Sequence, residues 1–337
     1  MSTLLKKIIL ISLILTFVVV VLGAYVRLSD AGLGCPDWPG CYGKLLGVPS
    51  SETELDHANA NFDRAVEIGK AWKEMVHRYF AGVLGILIFI ISLKLFGKDD
   101  DGRRHIVAGV VLSGALIFQA LLGMWTVTLQ LKPLIVMGHL LGGFALFNLI
   151  AWQWLRTQSF QISLFIKDRS YLLFLSTFVI VVAVCQIALG GWVSSNYAAL
   201  ACVDFPKCQQ SWWPTMDFNN AFILWRGLGV DYEFGVLDHP ARVAIHYTHR
   251  IGAVVATIAI LFYAIQLWKN ADTQSRGLGK VAMIIVGLLI VQICLGISNI
   301  YFKLPLLVAA AHNGVALLLL FSLVASLYMV KSAQIFK

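Results

Sequence analysis

The sequence predicts an all-α polytopic membrane protein, with eight transmembrane helices arranged as two homologous four-helix halves. Three observations predict this fold class. Hydrophobic residues make up 59% of the 337 residues and charged residues only 13%, a balance typical of chains that cross a membrane several times. Eight apolar runs approach the length that a helix needs to cross about 30 Å of hydrocarbon. Short motifs of the first half also recur in the second.

The eight apolar runs give the expected helices. We place them at 8–26, 76–96, 106–128, 134–155, 171–193, 243–268, 280–301 and 305–330. Unbroken apolar runs differ from the alternating strands of a membrane β-barrel. Lys6 and Lys7 would also suit the basic start of a signal peptide. The first run has a counterpart at 171–193, however, and we interpret it as a helix.

Basic residues predict the orientation. They concentrate at the two termini and in the even-numbered connections: Lys6, Lys7, Lys94, Lys98, Arg103, Arg104, Arg156, Lys167, Arg169, Lys269, Arg276, Lys280, Lys331 and Lys337. The two short opposite loops carry only Lys132 and Lys303. Because basic loops stay inside, we predict a cell (inner) membrane protein with cytoplasmic termini. The long connections 27–75 and 194–242 then lie outside.

The net charge of +8 is explained by this topology. No basic face is interleaved with exposed aromatic residues, so the charge predicts no nucleic-acid partner.

An internal repeat divides the chain. The segment from Cys35 to Cys41 aligns with the segment from Cys202 to Cys208 at an offset of 167. Leu-Gly pairs also end the apolar part of all four odd-numbered helices, at Gly23, Gly123, Gly190 and Gly296. These glycines would permit close helix packing or leave room for a flat macrocycle. We therefore predict two halves, 1–160 and 161–337, within one bundle.

Four histidines recur with this repeat. His77 and His139 are 62 residues apart, and His249 and His312 are 63 residues apart. Each follows shortly after the predicted start of an even-numbered helix, so all four imidazoles are expected in one layer near the outer surface. Imidazoles inside a bilayer usually have a functional partner. The spacing pairs His77 with His139, and His249 with His312.

Three interpretations of these histidines remain open. A single membrane histidine often only hydrogen-bonds a neighbouring helix. Imidazole also suits zinc or copper, although no carboxylate cluster accompanies these four. Two separated pairs at one level are best explained by two bis-histidine haems, or by one haem cofactor and one haem substrate.

The outer cysteines support the predicted topology. Cys35, Cys41, Cys202 and Cys208 all fall in the long outer connections, where disulfides can persist. Five intervening residues can bring each pair within bridging distance, so we expect the bridges Cys35–Cys41 and Cys202–Cys208. A zinc site formed by the four thiols is the alternative.

The two halves differ beside the first histidine of each. Glu74 precedes His77 by three residues and shares its helix face, whereas the equivalent residue of the second half is His246. A carboxylate near a haem edge can accept a proton while a substrate carbon is oxidised. The alternative is a solvated carboxylate near a helix N-terminus. One half is thus expected to do chemistry and the other to hold a cofactor.

Taken together, these residues resemble the haem A synthase family. The resemblance rests on the eight helices, the Glu-x-x-His-Arg segment 74–78, His139, His249 with Arg250, His312 and the outer pair Cys35/Cys41. It covers nearly the whole chain. It implies that the first half binds haem O between His77 and His139, and that the second half holds haem b between His249 and His312.

The resemblance also implies the reaction and the partners. The C8 methyl group of haem O would be oxidised to a formyl group, by successive hydroxylations and loss of water. Glu74 matches the carboxylate of the family, and Arg78 and Arg250 would meet propionates. The expected partners are the enzyme that supplies haem O, an unidentified electron acceptor and the assembly pathway of the terminal oxidase. A homo-oligomer is left open.

Two other classes remain as alternatives. A di-haem b-type cytochrome that takes electrons from quinol would use the same four histidines. A haem transporter would bind haem without changing it. Glu74, present in only one half, favours synthesis over a symmetric carrier.

Overall fold

The computed structural model describes residues 2–98, 102, 104–158, 168–270 and 276–333. Regular structure within these residues is helical: α1 Thr3–Leu28, α2 Glu52–Asn61, α3 Ile68–Phe96, α4 Ile106–Thr128, α5 Pro133–Thr157, α6 Arg169–Ser195, α7 Phe218–Ala221, α8 His239–Lys269, α9 Arg276–Tyr301 and α10 Leu306–Ser332. Eight of the helices in this described part are long and apolar enough to cross a membrane, which confirms the predicted fold class. The predicted boundary at 160/161, and the basic residues Arg103, Lys167 and Lys337, lie outside the described residues.

Four predicted helix starts, those of α1, α3, α8 and α9, lay four to eight residues too late, and the errors at α3 and α8 have a structural explanation. We expected α3 to begin at 76 and α8 at 243, but they begin at Ile68 and His239. The first turns of α3 are polar, so hydropathy does not reveal them. They form because Ala71 and Met75 pack into a small apolar cluster with the outer loop. His77 therefore lies nine residues after the start of α3, roughly 14 Å along the helix.

The transmembrane helices form two closed sets. In the first, α1 contacts α3, α3 contacts α4, α4 contacts α5, and α5 contacts α1. The second set repeats this order with α6, α8, α9 and α10. Helices α1, α5, α6 and α10 join the two sets, for example where the rings of Phe147 and Phe321 meet edge to face at 5.8 Å. One apolar core runs through both sets and holds them as one bundle.

The first, third, fifth and seventh transmembrane helices all end in the same way; these are α1, α4, α6 and α9. A backbone N–H after the helix donates to the carbonyl five residues earlier; the bonds run from Ala31 to Val26, Leu131 to Thr126, Ala198 to Val193, and Leu304 to Asn299. This is the 6→1 bond of a Schellman motif. The turns contain left-handed residues, among them Leu131 and Leu304, where a non-glycine side chain is uncommon. The predicted repeat is therefore present in the local backbone geometry.

Each of the two long connections, which we predicted to lie outside, contains a local disulfide, as predicted. Cys35 is bonded to Cys41, and Cys202 to Cys208. We call the two closed segments, residues 35–41 and 202–208, the disulfide loops. The carboxylate of Asp204 accepts N–H bonds from Gln209 and Gln210 at 2.6 and 2.8 Å. Burial raises the pKa of Asp204, but these N–H groups outweigh it and hold the pKa below its ordinary value. Asp37 has the same pair of bonds in the first loop.

Candidate functional site

Each of the four histidines packs against a glycine of the preceding transmembrane helix. The pairs are Gly23 with His77, Gly123 with His139, Gly190 with His249, and Gly296 with His312. A Cβ atom built on these glycines would lie 3.0–3.2 Å from the ring Cε1 atom, closer than the ordinary contact of about 3.5–4.0 Å. The glycine of each Leu-Gly pair thus leaves the space that the imidazole occupies.

The pairing expected from the spacing, His77 with His139 and His249 with His312, stays a prediction. The charges of the two imidazoles of each pair would repel each other, which is consistent with their being neighbours. Part of each side chain is accessible. The Nδ1 atoms of His77, His139 and His312 are buried, without a hydrogen-bond partner among the described residues. Paired imidazole nitrogens are the axial ligands of bis-histidine haem iron, so the donor chemistry fits a haem at each pair.

Three glutamines lie against three of these histidines. The Gln119 amide donates to the backbone carbonyl of His139 at 2.9 Å. The amide nitrogen of Gln186 is 3.1 Å from both Nδ1 and the carbonyl oxygen of His249. The amide nitrogen of Gln292 is 3.2 Å from Nε2 of His312. The corresponding position before Gly23, four residues earlier in α1, is Val19.

Glu74 and Arg78 attach α3 to the first disulfide loop. The Cys35 N–H donates to Oε2 of Glu74 at 2.8 Å, and Oε1 pairs with Arg78 at 2.5 Å. Glu74 is 5% exposed, so this pair is shielded from water. The guanidinium of Arg78 also donates to the carbonyls of Asp37, Pro39 and Gly40. A propionate contact of Arg78 stays a prediction, since the described partners of this side chain are loop carbonyls and Glu74.

The second half repeats this attachment with different chemistry. His246, at the position of Glu74, accepts from the Cys202 N–H through Nδ1 at 3.4 Å. Arg250 donates to the carbonyls of Lys207 and Cys202 at 2.9 and 2.8 Å. In both halves, the disulfide loop is therefore hydrogen-bonded to the helix that carries the first histidine. The buried carboxylate is particular to the first half.

The second outer connection crosses over the first half. We call residues 225–235 the strap. Lys132, which is 1% exposed, donates to the Gly227 carbonyl and lies 3.4 Å from the ring centroid of Trp225. Burial lowers the pKa of Lys132 because water no longer solvates the charged amine. The Tyr232 N–H donates to the Gln130 carbonyl at 3.1 Å.

An ion-pair cluster fixes the other end of the strap. Arg64 of the first outer connection pairs with Glu233 and, at 2.6 Å, with Asp231. The strap and the first outer connection together line a cavity of about 140 Å³, which also touches Gly34 beside the disulfide loop. The strap, although it belongs to the second long connection, therefore covers the end of the first set of helices.

Sequence reasoning missed Gln186 and the strap. Gln186 stands four residues before Gly190, as Gln119 and Gln292 stand before their glycines, so comparing all four odd-numbered helices would have found it. The partners of the strap are 95 to 169 residues away, and no local pattern points to them.

The fold and the site define a class: a polytopic membrane protein with four repeated histidines, each seated on a glycine, under two disulfide-closed loops. Comparison with known proteins identifies the family. Residues 6–324 match the family model COX15-CtaA, cytochrome oxidase assembly protein, and this chain belongs to that family. The family resemblance inferred from the sequence is thereby confirmed.

Several curated proteins are similar over almost their whole length. The chain is 46% identical to the Heme A synthase of Shewanella oneidensis, over 94% of each chain. It is 26% identical to the Heme A synthase of Rhizorhabdus wittichii, over 92% of this chain and 89% of that protein. It is 25% identical to the Heme A synthase of Brucella ovis, over 90% of this chain and 85% of that protein.

Proposed function

We propose that this chain is a haem A synthase, an oxidoreductase that converts the C8 methyl group of haem O into a formyl group. The product, haem A, serves the terminal oxidase. The observation that carries the proposal is the doubled imidazole pair, present in a chain 46% identical to a protein named Heme A synthase. Family membership over residues 6–324 supports the same activity.

The two pairs are assigned different haems. The first half, with His77 and His139, binds the substrate haem O, and the second half, with His249 and His312, binds haem b. The support is the asymmetry between the attachments: a buried carboxylate stands beside His77, and the imidazole of His246 stands at the equivalent place. When bound, haem b supplies one-electron transfer. The chain's own residues must orient the methyl group and remove protons.

Glu74 is the proposed proton acceptor. It lies one helical turn from His77, and both carboxylate oxygens are engaged, one by Arg78 and one by the Cys35 N–H. Accepting a proton would remove the negative charge of the carboxylate and so weaken both of these bonds. Proton uptake is therefore coupled to the position of the first disulfide loop, which Arg78 also holds. The nearby cavity beside Gly34 provides space for water.

The orientation and partners are proposed with the activity. Cytoplasmic termini place both disulfide loops on the oxidising side, where such bridges persist. The protein would sit in the cell (inner) membrane, receive haem O from the enzyme that makes it, pass electrons to an acceptor, and serve assembly of the terminal oxidase.

Extraction of the bound haems, followed by mass measurement, tests the proposal. Protein purified from its native membrane should contain haem B together with haem O or haem A. Haem B alone would favour the di-haem electron carrier, which keeps the same histidines but does not change its haems.

Variants test the roles of the two halves. Glu74→Gln keeps the shape of the side chain and should abolish haem A formation while haem b stays bound. Glu67→Gln, at the exposed N-cap of the same helix, is the matched control and should leave the product yield unchanged. Normal haem A formation in Glu74→Gln would remove this carboxylate from the mechanism.

Histidine substitutions test the pairing. Loss of His249 or His312 should deplete haem b and disturb its low-spin spectrum, whereas loss of His77 or His139 should impair haem O oxidation with less loss of haem b. Equal effects of all four substitutions on both haems would contradict the assignment by halves.

A further inference from the structure

We propose that Gln119, Gln186 and Gln292 are positioning residues for three of the four haem ligands, and that the first-half site, where His77 has no such glutamine, is the one that releases its haem. This inference rests on the proposed haem ligation by His77, His139, His249 and His312. It concerns how firmly each imidazole is held.

The contacts place each carboxamide at its histidine. Gln186 lies 3.1 Å from Nδ1 of His249, and Gln292 lies 3.2 Å from Nε2 of His312. The Oε1 atoms of all three glutamines are buried, with no partner among the residues that the structure describes. An imidazole that binds a metal usually donates its other N–H to an acceptor, which fixes the ring and raises its basicity. At Gln186 and Gln292, a half-turn of the carboxamide would present its oxygen to the ring as that acceptor, and at Gln186 this bond would replace the one donated to the His249 carbonyl. Gln119 instead holds His139 through the backbone carbonyl.

Glycines provide the space for two of these carboxamides. Gly142 and Gly252 each follow a histidine by three residues, one turn along α5 and α8. A Cβ atom on Gly142 would collide with the carboxamide oxygen of Gln119, and one on Gly252 with that of Gln186. The glutamine side chains are therefore packed into fixed places instead of moving freely on the helix surface.

The fourth position breaks the pattern. Val19 occupies the place of the glutamine in α1, so His77 has no carboxamide from that position. In the second half, each of the two histidines contacts a glutamine, whereas in the first half only His139 does. A resident cofactor needs two fixed ligands, whereas a substrate site must bind one haem and release another. We assign His77 as the ligand that exchanges.

The experiment uses the purified holoprotein and measures the haem b spectrum, its midpoint potential and its transfer to excess apomyoglobin. Gln186→Leu removes the acceptor at similar volume and should raise the potential and weaken haem b retention by about 10- to 100-fold. Gln186→Glu keeps an acceptor of greater basicity and should lower the potential. Val19→Gln should slow release of haem from the first half by a similar factor, and Val19→Leu is its control.

The outcomes separate this inference from the proposed function. With haem bound, an unchanged potential and retention in both Gln186→Leu and Gln186→Glu would overturn the positioning role. Equal haem release from Val19→Gln and Val19→Leu would overturn the assignment of His77 as the exchanging ligand. A wild-type protein that carries no haem would instead refute the proposed function.

Discussion

Replacing Gly190 with alanine should displace His249 and loosen the haem of the second half. The new Cβ atom would lie 3.1 Å from Cε1 of the ring, and an ordinary contact requires about 3.5–4.0 Å. The imidazole must therefore move by roughly 0.4–0.9 Å, or α6 and α8 must separate. Precise sites tolerate displacements of only about 0.5 Å.

The energetic consequence can be estimated from overpacking. Inserting one extra carbon into a tight contact costs about 1–3 kcal/mol. Because about 1.4 kcal/mol corresponds to a tenfold change in an equilibrium constant, Gly190→Ala should weaken haem retention by roughly 5- to 140-fold. Gly296→Ala, whose Cβ atom would lie 3.2 Å from His312, should act similarly.

Two glycines of the membrane helices offer controls. Gly287 in α9 and Gly114 in α4 have nothing within 4 Å of a built Cβ atom, so alanine there should be tolerated. The assay is the rate of haem transfer from purified protein to excess apomyoglobin, with haem content measured as the pyridine complex. If Gly190→Ala loses haem no faster than Gly287→Ala, the glycine does not seat the imidazole and the reasoning fails.

Three further predictions follow from the outer connections. Arg64→Ala removes the ion pairs to the strap, worth roughly 1 kcal/mol, and should therefore speed amide exchange in the strap about fivefold. Lys70→Ala, which removes an ion pair outside the strap, is the control; equal exchange in the two variants would contradict the prediction. Bonding to Lys44, and then to backbone N–H groups, lowers the pKa of Glu54 from 4.5 to about 2. The Glu54 carboxylate should therefore stabilise the N-terminus of α2 fully above pH 4.5, and this stabilisation should be lost as the pH falls through about 2. Amide exchange in α2 measures it. Loss of protection already near pH 4.5 would contradict the prediction. Cys35→Ser should reduce activity before it unfolds the bundle, since so short a loop contributes only about 2 kcal/mol; thermal unfolding far below the wild type would refute it.

Hydropathy was sufficient to predict the eight membrane helices because the bilayer imposes a length and a composition on them. It failed at the starts of α3 and α8, where packing against the outer connections, not the bilayer, holds the first turns. The bridges Cys35–Cys41 and Cys202–Cys208 were predictable because a disulfide between residues so close in sequence depends on local chain geometry.

The site was predictable in its repeated parts only. Four histidines and four glycines recur with the repeat, so the sequence singled them out, but it predicted helix packing or room for a macrocycle at the glycines and not their contact with the imidazoles. The roles of Arg78 and Arg250 at the loop carbonyls could not be inferred, because an arginine near a haem ligand suggests a propionate equally well. The pairing of Arg64 with the strap depends on tertiary structure that brings together residues 167 and 169 positions apart.

The strap has a consequence for the biogenesis of the protein. Its residues are synthesised long after α1 to α5 are complete, yet they close the outer end of that earlier set through Lys132 and Arg64. A ribosome therefore produces an open first half before it produces the cover. Separately expressed halves should each insert, but the first would remain uncapped until the second docks beside it. The two sets of helices would thus reach their final structure together, because the strap of the second long connection covers the first set.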